Sequence, residues 1–473
     1  MIPDGKPGRA PPTRRPRTRP GPRACPEHQR SARLNGVSEI PEGPLVRTAR
    51  LAGLPLSAAG RLTLGWGQRL IGRDRDEVVA EMQRRTAEQL FEVLGTLKGG
   101  AMKFGQALSV YEAAIPDEFA APYRAALTKL QNAAPPMPST TVHRIMAAQL
   151  GTGWRSHFTS FDDEATAAAS IGQVHRGVWR DGRAVAVKIQ YPGAAGALRA
   201  DMDQLSRMAP LLGPLIPGVE VRPLVAELRE RVMEELDYAL EADHQRAFAA
   251  AFAGDPDFLV PRIVASAPKV LVSEWVDGTG LAAIIDHGSQ QQRDRAATLL
   301  TELHFSAPQR VQLLHADPHP GNYQLTADGK LAVVDFGSVA RLPDGTPPII
   351  GRVSRHAIGG DAAAVLAELR SAGFITDRFE PDPEVLLNYV APFTEPLRHE
   401  TFHFNRTWMQ HQAAKMADLS TAESKLARHL NLPPSFLMIH RVTFGSLGVL
   451  CQLDATAPFR GIVERWLPGF REP

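Results

Sequence analysis

The stretch His315-Ala316-Asp317-Pro318-His319-Pro320-Gly321-Asn322, followed by Val333-Val334-Asp335-Phe336-Gly337, carries the residue types with the most chemical potential in the chain. Moving a phosphoryl group requires an acidic side chain to orient the attacking hydroxyl or water, and hard oxygen ligands to hold Mg²⁺ on the phosphates. Asp317, Asn322 and, beyond a predicted hairpin, Asp335 supply that set in the order D-x-x-x-x-N … D-F-G. The hairpin returns the second aspartate to the side of the first. Prolines 318 and 320 exclude an α-helix here, so His315 and His319 are not a helical i,i+4 metal pair. A lone Asp-Phe-Gly arises by chance, and an Asn/Asp-capped turn is its bland explanation. The two motifs together at this spacing outweigh it.

A second signal is Val185-Ala186-Val187-Lys188. An alternating strand presents one lysine into a cleft, where it pairs with α- and β-phosphates. Such a lysine needs a carboxylate to hold it, and the best candidate is Glu241 in Glu234-Glu235-Leu236-Asp237-Tyr238-Ala239-Leu240-Glu241-Ala242. On a continuous helix Glu234, Asp237 and Glu241 share a face and Glu235 lies on another. The third signal runs against an ordinary protein kinase. Where a glycine-rich phosphate cover is expected, the chain reads Ala167-Ala168-Ala169-Ser170-Ile171-Gly172-Gln173-Val174. Alanine disfavours positive φ, so this loop is stiffer than a glycine-rich one. Ser273-Glu274-Trp275-Val276, just after a strand, is the expected hinge to an adenine base, with an ordinary strand end as the plain alternative.

The elements that must position these residues follow from periodicity. Residues 75–130 are helical in pattern, and Ser139-Thr140-Thr141 reads as the cap of a helix running to about Leu150. Phe158–Phe161, Gln173–Trp179 and Ala184–Gln190 read as strands, the last two joined by Arg180-Asp181-Gly182-Arg183, a strong hairpin signal. Residues 198–252 read as helical, Val260–Val264 and Val270–Trp275 as strands, and the remainder as mostly helical, apart from a hairpin over Tyr323–Val334. The expected fold is α+β and bilobal: a small sheet-rich N-lobe, a helical C-lobe and an N-terminal helical extension. The expected divisions are 1–45, 46–150, 151–276 and 277–473. A cleft between lobes is a preferred ligand site.

The chain has 473 residues, 44% of them hydrophobic and 22% charged, so a large core is available and a collagen-like, disordered or disulfide-scaffold chain is excluded. Its two cysteines, Cys25 and Cys451, exclude a disulfide framework and a cysteine-based zinc site. The net charge of +2 hides an asymmetry: residues 1–34 carry nine Lys/Arg against Asp4 and Glu27, leaving 44 basic and 49 acidic residues elsewhere. The Pro/Arg-rich tail is expected to be disordered, and the mildly acidic body gives no reason to expect specific nucleic-acid binding. No run of 18 apolar residues occurs, so no membrane-spanning helix is expected. The interspersed apolar residues of Leu51–Ile71 suit either a packed helix or one lying in a membrane interface.

Taken together, the chain resembles the UbiB/AarF family of atypical kinase-like proteins. The resemblance rests on A-A-A-S-I-G-Q-V-H, V-A-V-K, E-L-D-Y-x-x-E-A, H-A-D-P-H-P-G-N with D-F-G, and Lys103-Phe104-Gly105-Gln106, and it runs from about residue 90 to 450. It implies ATP or ADP and Mg²⁺ as cofactors. Lys188 would contact the phosphates and pair with Glu241, Asn322 and Asp335 would hold the metal, and Asp317 would stand at the catalytic-base position. Ala167, Ala168, Ala169, Ser170, Gly172 and Val174 would line the nucleotide, with Glu274 and Val276 near the base. The stiff loop would restrain nucleotide binding and suppress protein phosphorylation. Lys103, Gly105 and Gln106 would fold over the cleft, where Glu235 and Asp237 would meet Lys103.

The implied activity is that of an Mg-dependent ATPase or atypical kinase serving isoprenoid quinone or other lipid metabolism. A cytoplasmic location is expected, with a lipid or quinone-precursor ligand and peripheral membrane contact allowed. Two other functions fit parts of the pattern. One is a small-molecule phosphotransferase of the aminoglycoside or choline kinase type, the other a nucleotide-gated, non-catalytic lipid-binding protein.

Overall fold

The computed structural model describes Ala113 and residues 136–473, except 170, 213–228, 230–232, 377–378, 418–419 and 472–473. The expectations for the basic tail, for residues 46–135 with Lys103, Gly105 and Gln106, and for Ser170 lie outside the described residues.

The N-lobe is built on one antiparallel sheet. Strands β1 (Phe158–Phe161), β2 (Ala167–Ala169), β3 (Gly172–Trp179) and β4 (Ala184–Gln190) are followed by β6 (Ile263–Ala267) and β7 (Val270–Glu274), in the order β1-β3-β4-β7-β6 with β2 beside β3. The β3–β4 turn forms as its Asp-Gly pair predicts. Gly182 adopts φ +90°, and Asp181 accepts a hydrogen bond from the Arg183 amide. Alternation along β4 sorts its side chains. Val185, Val187 and Ile189 are fully buried with Val270 and Val272 against Val142 and Met146 of helix α1 (Ser139–Leu150). The intervening residue Lys188 points to the other face, where its cross-strand partner Leu271 packs with Leu198 and Met202 of α2 (Ala194–Leu212) and Tyr238 and Ala242 of α3 (Tyr238–Ala251).

Several expectations are corrected. The alanine run is not a loop but strand β2, paired in register Ala167↔Val174, Ala168↔Gln173 and Ala169↔Gly172. Alanine's preference for extended φ favours a strand over an open turn. Helix α1 begins after Pro138 with no side-chain cap, so Ser139-Thr140-Thr141 are helical residues rather than the cap. The strand expected over Val260–Val264 is displaced. Pro261 lacks a ladder donor, and the chain instead forms β5 (Phe258–Leu259) before it and β6 after it. The acidic run is not one continuous helix. Asp237 leaves the helical region at φ −104°, ψ 93° and caps α3, accepting from the amides of Ala239 and Leu240.

The C-lobe is largely helical. After β8 (Gly278–Gly280) come α4 (Leu281–His287), α5 (Gln290–Val311), β9 (Leu313–His315), β10 (Tyr323–Thr326), β11 (Leu331–Val333) and β12 (Val339–Arg341). Helices α6 (Pro348–Ile358), α7 (Ala362–Ser371) and α8 (Pro383–Thr394), strand β13 (Phe402–Phe404), helices α9 (Arg406–Ala417), α10 (Ala422–Ala427) and α11 (Pro434–Leu453), strand β14 (Ala455–Ala457) and helix α12 (Phe459–Trp466) complete it. The expected hairpin is β10–β11, with Leu325↔Leu331 in register. β11 also pairs in parallel with β5, and β9 pairs with β12.

The main core gathers Leu299, Leu300 and Leu303 of α5, Leu447, Val449 and Leu450 of α11, and Phe459 of α12 around Phe336 and Tyr323. Among the described residues, Ser435–Leu453 forms one helix long and apolar enough to cross a membrane by length and composition, with mean hydropathy 1.4. That span is 61% buried inside the protein, as a core helix would be.

Candidate active site

Three side chains far apart in sequence meet at the face of β4 turned toward α3. Lys188 Nζ donates to both Glu241 oxygens, at 2.7 and 3.0 Å, and to Asp335 Oδ2 at 2.8 Å. Glu241 is nearly inaccessible and Lys188 largely so, while Asp335 keeps more exposure. Burial opposes the charge on Lys188, yet the carboxylates of Asp335 and Glu241 together hold its ammonium well above the usual range. Burial pushes the Glu241 carboxyl up, against the pull of Lys188. Charges buried this deeply are stable only as a hydrogen-bonded set, and this set satisfies that condition.

The second half of the site is the loop after β9. Asn322 Nδ2 donates to the Asp317 carbonyl at 3.0 Å, and the Val334 amide donates to the Asn322 carbonyl at 3.0 Å, so the hairpin does bring Asp335 beside Asp317 and Asn322. The Pro320–Asn322 segment is a short 3-10 turn. His315 fastens the two motifs together: its Nε2 lies 2.7 Å from the Asp335 carbonyl and its Nδ1 3.1 Å from the Tyr323 hydroxyl. Both ring nitrogens of His315 are thus engaged within the fold. Phe336 is fully buried, its ring 5.0 Å from Phe248 of α3 and 5.6 Å from His315. Asp335 Oδ1 in turn accepts from the Gly337 amide at 3.0 Å.

The remaining predicted residues fall into two groups. Gly172 and Val174 start β3, with Val174 directly opposite Lys188, and Ala167–Ala169 cover them as β2. Glu235 is buried and reaches the same corner: a Cβ added to Gly337 would meet Asp335 Oδ1 at 3.2 Å, and Glu235 Cγ and Glu241 Oε2 at 3.7 Å each. Asp237 is committed to capping α3.

Glu274 and Val276 stand at the passage between the lobes. The amides of Glu274 and Trp275 are used by the Arg262 and Ala184 carbonyls, and the Glu274 carboxylate receives Arg183 and the Arg262 amide.

Sequence reasoning missed Tyr238. Its ring lies under Lys188, with Nζ 5.1 Å from the centroid, and its hydroxyl is buried without a hydrogen-bond partner among the described residues. The signal available was its position three residues before Glu241, one helical turn along α3.

This buried lysine, held by a carboxylate from α3 and by the aspartate of an Asp-Phe-Gly motif, belongs to the kinase architecture. The family model "ABC1 atypical kinase-like domain" matches residues 129–369. The chain belongs to the ABC1 atypical kinase-like family. The zebrafish (Danio rerio) protein "Atypical kinase COQ8B, mitochondrial" is 29% identical over 359 residues, covering 73% of this chain and 56% of that protein. The Arabidopsis thaliana protein "ACTIVITY OF BC1 COMPLEX KINASE 1, chloroplastic" is 32% identical, covering 67% and 46%. The chain thus spans about half the length of these ABC1-type relatives. Among solved structures, the Rv3197–erythromycin complex from Mycobacterium tuberculosis is 49% identical with TM-score 0.66, covering 85% of this chain and all of that one. The bilobal α+β architecture is the kinase-like one this family implies.

The donor set suits the metal such folds use. Among the described residues no group of three or more His, Cys, Asp or Glu side chains is placed to hold an ion alone. Mg²⁺ is typically bound through one or two carboxylates completed by substrate phosphates and water, and Asp335 with the Asn322 amide oxygen fits that pattern.

Proposed function

We propose that this protein is a nucleotide-dependent, Mg²⁺-requiring ATPase or atypical kinase of the ABC1 type. The observation that carries the proposal is the Lys188–Glu241–Asp335 cluster standing beside Asp317 and Asn322. In this reading Lys188 holds the α- and β-phosphates and Glu241 keeps it aimed. Asp335 and Asn322 would hold Mg²⁺, whose role is to neutralise charge on the β- and γ-phosphates. Asp317 orients the attacking hydroxyl or water. Gly172, Val174 and the β2 hairpin cover the phosphates with a paired strand rather than a flexible loop, which restricts how the nucleotide enters. Val276, next to amides already used by the sheet, faces the base.

Isoprenoid quinone or other lipid metabolism is the proposed setting. It is supported by the match to COQ8-type atypical kinases. Lys103, Gly105 and Gln106 are proposed to lie over the cleft and to meet Glu235.

The test is nucleotide hydrolysis with Mg²⁺, with and without anionic liposomes and phenolic quinone-like compounds. Asp335→Asn and Lys188→Ala are each expected to lower turnover about 100-fold or more, as removal of a transition-state charge contact does. Unchanged turnover in both variants ends the proposal. A second reading, a nucleotide-gated protein that binds a bulky lipophilic molecule, is favoured by the half-identical relative solved with erythromycin. Tight nucleotide binding with no hydrolysis under any of these conditions would select it.

A further inference from the structure

The C-lobe contains a cavity that the nucleotide reading does not use. It offers about 390 Å³ between α5, α6, α8 and α11 and is partly open. That lies within the range of small-molecule ligand pockets, roughly 300–1,000 Å³. Its walls are aliphatic and aromatic. Phe393 of α8 and Phe444 of α11 meet edge to face at 4.9 Å, and both stay only half-buried because they border this space.

Thr346, Ser354, Tyr389, Asn431 and His440 add polar groups to the lining, and one polar pair meets across it. His304 of α5 faces Thr443 of α11, with Nε2 and Oγ1 3.4 Å apart, and both line the cavity. The Thr443 hydroxyl donates to the Ile439 carbonyl at 2.8 Å, so its oxygen presents a lone pair to the space. Burial pushes the His304 imidazole down to about 4, which makes it neutral at physiological pH. Among the described residues no Lys, Arg, Asp or Glu lines the cavity. An ion entering would shed its hydration with no opposite charge to receive it.

We propose that this cavity binds a neutral, slender lipophile whose hydroxyl donates to the Thr443 oxygen beside His304. The apolar walls take the chain, and the acceptor oxygen of Thr443 selects a hydroxyl-bearing head over a plain hydrocarbon. The site is separate from Lys188 and Asp335, so it stands or falls independently of the nucleotide reading.

The test uses the full chain and the neutral fluorescent lipophile Nile red, displaced by farnesol or by farnesoate at pH 7.5. Farnesol is expected to displace the dye at least about tenfold more effectively than farnesoate, the size of a modest charge-desolvation penalty. Val353→Trp, which fills the cavity from α6, should abolish dye binding. Thr443→Val keeps the shape and removes the hydroxyl. It should weaken farnesol about fivefold, the loss of one hydrogen bond, and leave Nile red unchanged. Absence of dye binding, including absence because the chain's own segments fill the space, overturns the proposal. Equal binding by Val353→Trp, or farnesoate matching farnesol, does the same. If Val353→Trp fails to fold by circular dichroism, the Thr443→Val pair of measurements decides alone: an unchanged farnesol affinity rejects the site.

Discussion

Lys188 and Asp335 stand 147 residues apart in sequence, and the lysine amine donates to the aspartate oxygen at 2.8 Å. The same amine is shared with Glu241, so its two carboxylates differ in duty. Glu241 is sealed in the N-lobe, while Asp335 remains accessible at the lobe boundary. Glu241→Gln should therefore weaken folding rather than merely chemistry. A stability loss of roughly 2–3 kcal/mol is expected, because Lys188 retains Asp335 while the most buried charge of the set is lost. Urea unfolding of the variant checks it, and a loss below about 0.5 kcal/mol would show that the pair is not a unit.

The start of β3 tolerates no side chain. A Cβ on Gly172 would lie 2.2 Å from the Ile189 carbonyl oxygen and 3.0 Å from the Tyr238 hydroxyl, and the first of these is backbone that cannot rotate away. Gly172→Ala is expected to cost about 2 kcal/mol through strain, and to shift the β2–β3 cover over the cleft. Thermal melts read the first effect and nucleotide affinity the second.

Tyr238 separates its ring from its hydroxyl. The ring supports the Lys188 ammonium at 5.1 Å, whereas the hydroxyl is buried without a partner among the described residues. Removing an unsatisfied buried hydroxyl is neutral or favourable, so Tyr238→Phe should lie within about 1 kcal/mol of the parent and should not fall below it. Tyr238→Leu loses the aromatic face and leaves a gap, and should cost about 2 kcal/mol or more. Equal destabilisation by both substitutions would place the weight on the hydroxyl instead.

His304 makes folding sensitive to acid. Its imidazole takes a proton near pH 6.5 when unfolded but only near 4 when folded, because the apolar surroundings disfavour the cation. The folded protein therefore binds fewer protons than the unfolded chain in that window. The penalty is absent above pH 6.5, grows as pH falls, and is complete near pH 4, reaching about 3 kcal/mol. His304→Leu should be less acid-sensitive than the parent by about that amount. Denaturant unfolding at pH 7 and pH 4.5 measures the difference, and parallel acid profiles would refute it.

Much of this site was legible in the residues. The alternation of Val185, Val187 and Ile189 against Lys188 assigns the lysine to one face. The hairpin after Asn322 returns Asp335 to Asp317 because its turn chemistry is local. Other features were not legible because they depend on packing between distant segments. Nothing in Ala167–Ala169 shows that the run pairs with Gly172–Val174, since an alanine run is equally compatible with a loop. The acidic run looked like one helix until Asp237 was seen to cap α3. That break changes where Glu235 and Glu241 point, and both now approach Gly337. The C-lobe cavity has no local signature, because its lining comes from helices scattered between 304 and 467.

Helix α3 is fixed at both of its ends. Tyr238 and Ala242 at its start are fixed in the N-lobe cluster, while Phe248 near its end is sunk in the core that holds Phe336, Leu299 and Leu303. Many kinases switch themselves off by swinging the corresponding helix outward, which pulls its glutamate away from the lysine. Here such a swing would drag an aromatic ring out of the larger lobe. The lever is welded at both ends. Parting Glu241 from Lys188 by such a swing would mean breaking one of these two clusters.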